Sequence, residues 1–197
     1  MNIYDYDSIG LDNAIGRLRV DLKNVDMNHF IGKTMELTGW LEKGEDMDLG
    51  TGDLCVVLKQ NSADQSLHVT VLEAKRLKLD ESRLGGVPDT FVSVKLQYGR
   101  RTLNVKHTVV RHSTKTPYFG DVLVFPIKSS KLPLAKVVCK LKYKSKLGIK
   151  HVLGRVVIGP EADVAGKKQW QEMLNDPRRA VAMWHTLYPS KYDATDE

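Results

Sequence analysis

The sequence predicts an all-β protein whose main part is an eight-stranded antiparallel sandwich with one C-terminal helix before the last strand. Three observations lead to this prediction: short apolar runs recur between turn signals, only one stretch has helical periodicity, and one element occurs twice. The 197 residues leave room for one domain of ordinary size and part of another.

The element that occurs twice consists of an apolar strand, a polar loop that begins X-Tyr-X, and a second strand that opens on aliphatic-Gly-Arg. Its copies lie at residues 4–17 and 141–155. Aspartates flank the loop tyrosine in the first copy, whereas lysines flank it in the second. Because the copies are about 137 residues apart and the first begins at the N-terminus, we expect a domain tail followed by a whole domain.

The strands of the whole domain are predicted from eight apolar runs that alternate or are continuous and are bounded by turn residues. They are Leu54–Leu58, Leu67–Leu72, Phe91–Leu96, Leu103–Val110, Val122–Phe125, Val137–Leu141, Val152–Ile158 and Ala182–Leu187. The helix is predicted at Asp163–Asn175, which has one partly apolar face and stops before Pro177 because proline cannot continue it.

The N-terminal part is predicted to be an incomplete fragment. Residues 44–53 are acidic and glycine-rich, which indicates a linker. Residues 1–43 hold the predicted strands Ile15–Leu22 and Thr34–Leu41, and so few strands bury too little apolar surface for an independent domain. We therefore expect this fragment to be marginally stable unless a partner completes it, and residues 189–197 to form a polar tail.

Composition is that of an ordinary soluble protein, with 42% hydrophobic and 27% charged residues. No apolar run approaches the roughly 18 residues of a membrane span, and no signal peptide is expected. Cys55 and Cys139 each lie in an apolar run, so reduced buried thiols in a cytoplasmic protein are expected, with one disulfide as the alternative. No cofactor is predicted.

Charge is distributed unevenly along the chain. Residues 1–53 contain 11 acidic and 5 basic side chains, whereas the rest contains 13 acidic and 25 basic ones. Residues 122–160 contain nine lysines and arginines and no carboxylate. A domain with this balance is expected to bind polyanions, namely acidic lipid, nucleic acid or an acidic protein surface.

Two of the broader functional classes find little support in the sequence. Gly-X-Ser-X-Gly, a phosphate-cradling glycine loop and a catalytically spaced Cys/His pair are all missing, so we do not expect an enzyme. Basic strands studded with aromatic residues, which would stack nucleic-acid bases, are missing as well, so no nucleic acid is expected as a partner.

Three segments carry a resemblance to a known family. Leu67–Leu77 resembles the second strand and first loop entry of a synaptotagmin C2 domain, and Gly85–Val92 is similar to the family's Gly-Gly-Leu-Ser-Asp-Pro-Tyr-Val. Trp170–Arg179, followed by the Trp-His-X-Leu of residues 184–187, resembles the helix and the close of the second C2 domain. Trp184 and His185 are expected to be core and strand-closing residues.

The resemblance covers residues 54–188 as a complete C2 domain and residues 1–43 as the last strands of a first one. It implies two sandwiches joined by a short linker, acting as peripheral modules at vesicle or plasma membrane in vesicle trafficking and exocytosis. A membrane anchor and most of the first domain, which are usual in the family, are expected to belong to a longer form that precedes Met1.

Calcium binding in this family depends on closely spaced aspartates in the first and third loops, because calcium prefers six to eight oxygen ligands. In the first copy of the doubled element, Asp5 and Asp7 are kept, and the third position falls on Asn13 with Asp12 beside it. The matching first loop is absent from that fragment. We therefore expect weak calcium binding there at most.

In the complete domain, the resemblance places basic residues at the third-loop positions. They are Lys142, Lys144 and either Lys150 or His151. The first loop keeps Asp89, and its other position is Arg83 or, if residues 81–83 are an insertion, Asp80. Ammonium groups repel a divalent ion and offer no lone pair, so no complete metal site is expected in residues 54–188.

The resemblance instead points to three basic sites. A membrane-binding loop is assigned to Lys142, Lys144, Lys146 and Lys150; a polybasic strand to Arg100, Arg101, Lys106 and His107; and a far-end basic pair to Arg178 and Arg179. Four lysines near an anionic leaflet would contribute about 4 kcal/mol. The alternatives are a solvated basic face for the lysines, and capping of the helix with pairing to Asp176 for the arginines.

The function expected from these sites is calcium-independent binding of anionic phospholipid, either phosphatidylserine or phosphoinositide, and of SNARE proteins. The alternative is a protein-interaction adaptor that does not bind lipid directly. An incomplete sandwich has open strand edges, which also makes homo- or hetero-oligomers an expectation.

Overall fold

The structure, a computed structural model, describes residues 2–4, 14–17, 50–145 and 148–189. The chain divides into two compact units, Met1–Asp48 and Leu49–Glu197. In the first unit, strand β1 (Asn2–Tyr4) pairs antiparallel with strand β2 (Ala14–Arg17). The predicted strand Thr34–Leu41 lies outside the described residues.

The second unit contains eight strands, and each predicted strand corresponds to one of them. They are β3 (Gly52–Asn61), β4 (Ser66–Lys75), β5 (Asp89–Tyr98), β6 (Arg101–His107), β7 (Tyr118–Pro126), β8 (Ala135–Lys144), β9 (Lys150–Ile158) and β10 (Val181–Leu187). Since β3 already begins at Gly52, the last two residues of the predicted linker belong to the sandwich. Strand β6 ends at His107, three residues before its predicted end.

The predicted C-terminal helix is observed as α2 (Val164–Asn175). Asp163 caps it, since its carboxylate accepts the N–H of Gly166 at 2.7 Å. Two shorter elements were not predicted, namely helix α1 (Glu81–Leu84) and a 3-10 helix at Ser129–Leu134.

The eight strands form two four-stranded antiparallel sheets, which confirms the predicted fold class. The first sheet has the order β10-β3-β4-β7 and the second the order β6-β5-β8-β9. The connections at residues 76–88, 108–117 and 145–149, here called the first, second and third loops, share the loop end of the sandwich. The β3–β4 turn and the α2–β10 connection lie at the opposite, far end.

The core lies between the two sheets and follows the strand alternation. In the first sheet Leu54, Val56 and Leu58 of β3 are fully buried, and in the second sheet Val137, Cys139 and Leu141 of β8 are fully buried. Both cysteines are free and buried, as expected. Burial raises the pKa of the Cys139 thiol to about 12.

A buried polar network joins α2 to the first sheet. The Gln169 amide nitrogen donates to the carbonyls of Val56 and Val181 at 2.7 and 2.9 Å. Its oxygen therefore accepts from His185 Nε2 at 2.6 Å, which fixes the histidine tautomer. Burial lowers the pKa of His185, while Asp163 acts in the opposite direction.

His185 is thus a core residue, as predicted, but Trp184 is not. Its side chain lies on the outer face of the first sheet and remains 37% exposed, because adjacent residues of a strand point to opposite faces. The Lys75 ammonium lies 3.6 Å from the centroid of its ring. Trp184 therefore holds a cation at the surface instead of filling the core.

The two copies of the doubled element are both hairpins with the same internal pairing. The pairs Asn2–Arg17, Ile3–Gly16 and Tyr4–Ala14 correspond to Lys140–Arg155, Leu141–Gly154 and Lys142–Val152. Each hairpin has an irregularity after its second pair. In this register Tyr4 takes the place of Lys142, so the sequence alignment that put Asp5 there is shifted by one residue.

Candidate anion-binding surface

The outer face of the second sheet is rich in lysine because β8 alternates lysines with core residues. Four lysines of β8 share this outer face: Lys136, Lys140, Lys142 and Lys144. Cross-strand partners add Arg155 opposite Lys140 and Lys150 opposite Lys144 on β9. Lys95 of β5 lies opposite Val138. This face therefore presents positive charge from three adjacent strands.

Near the loop end, three of these elements bring basic side chains around one aromatic ring. Phe91 of β5 is directly opposite Lys142, and its ring meets that of His107 edge to face at 6.0 Å. The Lys150 ammonium lies 6.0 Å from the centroid of the same ring. We call His107, Lys142 and Lys150 the basic cluster.

The electrostatics of His107 confirm that the cluster is a local concentration of positive charge. Burial is the main cause that lowers the pKa of His107, and Lys142 and Lys150 lower it further. The imidazole is therefore neutral at pH 7. An anion that offsets the two ammonium groups would favour the protonated ring.

The basic cluster combines residues that the sequence assigned to two different sites. Lys142, Lys144 and Lys150 were expected at the mouth of the third loop and on it, but the structure places all three in strands β8 and β9. Lys146, assigned to the same loop, lies outside the described residues. His107, assigned to the polybasic strand, joins these lysines instead.

The predicted polybasic strand does not form one patch, which corrects that prediction. Arg100 lies in the turn before β6 and Arg101 is the first residue of the strand, at the far end. Lys106 pairs with the core residue Val94, and its ammonium lies 5.9 Å from the Phe125 ring centroid. His107 alone points to the outer face near the loop end, because the strand alternates.

The first-loop acids are paired with groups of the second loop. Asp89 Oδ2 lies 2.9 Å from His112 Nδ1, and Asp89 Oδ1 accepts the N–H of Ser113 at 3.3 Å. The Glu81 carboxylate lies 2.5 Å from the Lys115 ammonium. These pairs connect the two loops where a calcium ion would otherwise be required to neutralise the carboxylates.

Asp80, the other candidate first-loop ligand, accepts a hydrogen bond from the Ser82 hydroxyl at 2.5 Å and precedes helix α1. Within the part of the chain that the structure describes, no three His, Cys, Asp or Glu side chains are grouped so as to hold a metal ion. The remaining acidic candidates Asp5, Asp7 and Asp12 lie outside the described residues.

The far-end basic pair, Arg178 and Arg179, lies in the connection between α2 and β10, and both side chains are exposed. Asp176 holds this turn, since its side chain accepts the Arg178 N–H at 3.3 Å and its carbonyl accepts the Arg179 N–H at 3.1 Å. The pair is thus at the opposite end of the sandwich from the basic cluster.

Sequence reasoning missed the residues that organise these sites. Phe91 was assigned only to a strand, and the pairing of His112 with Asp89 was not predicted. Only the positions of strand residues relative to one another could have revealed them. Among residues 50–145 and 148–189, no helix has the length and apolar character to cross a bilayer.

Comparison with known proteins agrees with this architecture. The family model of the C2 domain matches residues 1–37 and 65–173. The first of the C2 domains of RIM from Drosophila aligns with 70% of this chain and 98% of its own, with a TM-score of 0.55 at 22% identity. The first C2 domain of human synaptotagmin XIII aligns with 79% of this chain and 94% of its own, with a TM-score of 0.51 at 18% identity. The sandwich is therefore a C2 domain.

Curated relatives specify the family more closely. Synaptotagmin-5 of Homo sapiens is 32% identical over 96% of this chain and 48% of its own length. Synaptotagmin-A of Diplobatis ommata is 32% identical over 99% of this chain and 45% of its own length. The chain belongs to the synaptotagmin family of C2-domain proteins, as the sequence resemblance indicated. It spans about half the length of the curated relatives it matches.

Proposed function

We propose that this protein is a membrane-trafficking C2 module that binds anionic phospholipid without calcium and without catalysing a reaction. The observation that carries the proposal is the basic cluster, in which His107, Lys142 and Lys150 converge around Phe91 at the loop end. Phosphatidylserine and phosphoinositide headgroups carry the negative charge that such a cluster attracts.

Calcium independence is supported by the pairing of the loop acids. A calcium ion would have to displace His112 and the Ser113 N–H from Asp89, and Lys115 from Glu81. It would also meet Lys144, which is directly opposite Asp89 in the sheet. Like charges repel, so the lysines that attract phosphate disfavour a divalent cation at the same place.

The expected affinity of the cluster is modest. Lys142, Lys144 and Lys150 would supply about 3 kcal/mol near an anionic leaflet, at about 1 kcal/mol for each lysine. Attraction of this kind is screened over a Debye length of about 8 Å at physiological ionic strength. The association is therefore sensitive to salt, and it strengthens when a second contact is made.

Vesicle co-sedimentation tests the proposal. The protein should pellet with vesicles that contain phosphatidylserine or phosphoinositide, equally with calcium and with chelator, and less at high salt. The double variant Lys142→Glu/Lys150→Glu should bind at least about tenfold more weakly, since about 1.4 kcal/mol corresponds to that factor. Lys167→Glu/Lys168→Glu on the exposed side of α2 is the control with the same loss of charge.

Two results would contradict the proposal in different ways. Vesicle binding that rises strongly with calcium would overturn the account of the loop acids but leave lipid binding intact. Equal loss of binding in the cluster variant and in the α2 control would show that net charge, and not the cluster, holds the membrane.

The second candidate function is an adaptor that binds acidic SNARE proteins without direct lipid contact. The exposed pair Arg178–Arg179 favours it, because these arginines lie away from the basic cluster and guanidinium groups pair well with carboxylates. Capture of a SNARE complex that depends on both arginines, together with no pelleting on anionic vesicles, would establish the adaptor in place of the membrane module.

A further inference from the structure

A groove of about 530 Å³ opens at the far end of the sandwich, away from the basic cluster. It lies between the end of β3, the β3–β4 turn, the start of β4 and the α2–β10 connection. Its lining includes Lys59, His68 and Arg178, with Gln60, Ser62 and Pro177 between them. Its volume falls within the range of about 300–1,000 Å³ that is usual for small-molecule sites.

The cationic side chains of this groove come from three separate elements. Lys59 on β3 is directly opposite His68 on β4, and both lie on the outer face of the first sheet because Leu58 and Leu67 are in the core. Arg178 reaches the groove from the connection after α2. Two bases directly opposite each other destabilise a sheet when both are charged, and a bound anion would reverse that cost.

The lining side chains offer donors but no carboxylate among the described residues of the groove. Asp64 and Asp176 are nearby, but each stabilises a turn: Asp64 accepts from the Asn61 amide at 2.5 Å and Asp176 from the Arg178 N–H at 3.3 Å. The Ser62 hydroxyl oxygen accepts from the Gln60 amide at 3.3 Å, so its own proton can be donated to a ligand.

From this arrangement we propose that the groove binds a phosphate monoester carried by a ring-sized molecule, such as a phosphorylated inositol. Three cationic groups match the dianionic charge of a phosphate monoester, and the guanidinium of Arg178 suits its oxygens geometrically. Pro177 forms a fixed wall, and the groove is larger than one phosphate group. This site goes beyond the membrane contact, because it lies at the other end of the domain and on the other sheet.

Titration of the full chain with inositol 1,4,5-trisphosphate tests the proposal, with binding followed by calorimetry and by the His68 ring resonances in NMR. Lys59→Ala and Arg178→Ala should each weaken binding about tenfold, since each removes one charge-assisted contact. Lys167→Ala on α2 is the matched control and should leave binding unchanged. Both variant positions are exposed, so thermal unfolding should show that the fold is kept.

The source of the phosphate is separated by a second arm with vesicles that carry phosphoinositide. Lys59- and Arg178-dependent binding of the soluble compound assigns a soluble ligand, whereas the same dependence seen only with vesicles assigns a lipid headgroup. Binding of both probes that neither substitution weakens, or His68 resonances that do not move at saturation, would overturn the proposal. The cluster variant Lys142→Glu/Lys150→Glu reports separately on the proposed membrane contact.

Discussion

At the scale of single residues, His107 links anion binding to pH. Its pKa lies below the usual 6.5 because the ring is partly buried and faces Lys142 and Lys150. A bound anion offsets those lysines and raises this pKa, so binding takes up a proton. Affinity should therefore increase as pH falls from above 6.5 to below the pKa of the free protein.

The measurement is co-sedimentation at pH 7.5 and pH 5.5 with vesicles that contain phosphatidylglycerol, whose charge is constant over this interval. We expect binding to be severalfold stronger at the lower pH. His107→Gln keeps a polar side chain that cannot be protonated, and should remove most of the difference. A variant that retains the full pH dependence would show that another histidine is responsible.

The residues of the cluster also show what could be predicted from the sequence. The lysines of β8 were identified as an anion site because they alternate and resemble the third loop of a C2 domain. Their meeting with His107 could not be predicted, because it depends on Phe91 being opposite Lys142 in the sheet register. Lys106 was misassigned for the same reason, since alternation along β6 turns it away from the outer face.

At the scale of elements, the strand and helix predictions succeeded where the sequence carries a local signal. Alternating apolar residues marked the strands, and Asp163 and Pro177 marked the limits of α2. Helix α1 was missed because its four residues are too short for periodicity to be seen. The pairing of Asp89 and Glu81 with second-loop residues was missed because it joins separate segments.

The glycine of the aliphatic-Gly-Arg motif has a packing role in the second hairpin. A Cβ at Gly154 would lie 2.9 Å from Leu187 Cβ and 3.2 Å from the Tyr188 carbonyl oxygen, and would also meet Thr51 Oγ1. Here β9 approaches the end of β10 closely, since Arg155 and Tyr188 exchange backbone hydrogen bonds of 2.7 and 3.0 Å. The sequence motif therefore records a close contact between the two sheets' edges.

Gly154→Ala is expected to lower the free energy of unfolding by about 1–3 kcal/mol, the usual cost of overpacking. Urea unfolding measures it, and a double-mutant cycle with Thr51→Ala identifies the cause. Removing the Thr51 hydroxyl relieves one of the clashes, so the double variant should be more stable than the sum of the single effects. Strict additivity would argue against crowding at this position.

At the scale of the whole molecule, the basic residues define two separate sites and not a uniform positive surface. The basic cluster lies at the loop end of the second sheet, and Lys59, His68 and Arg178 lie at the far end beside the first sheet. A ten-residue strand such as β5 separates the ends by about 30 Å. This distance exceeds a Debye length of about 8 Å several times over.

Charge reversal at the two ends should therefore have different effects on membrane binding. Lys59→Glu/Arg178→Glu and Lys142→Glu/Lys150→Glu change the net charge equally, but only the second pair removes the proposed membrane contact. On phosphatidylserine vesicles we expect the first variant to bind within about twofold of the unmodified protein, and the second at least about tenfold more weakly. The fourfold variant should combine the two effects additively, because the sites are distant. Equal losses from both pairs would mean that the excess of 25 basic over 13 acidic residues after residue 53 acts as a diffuse field, without a localised lipid site.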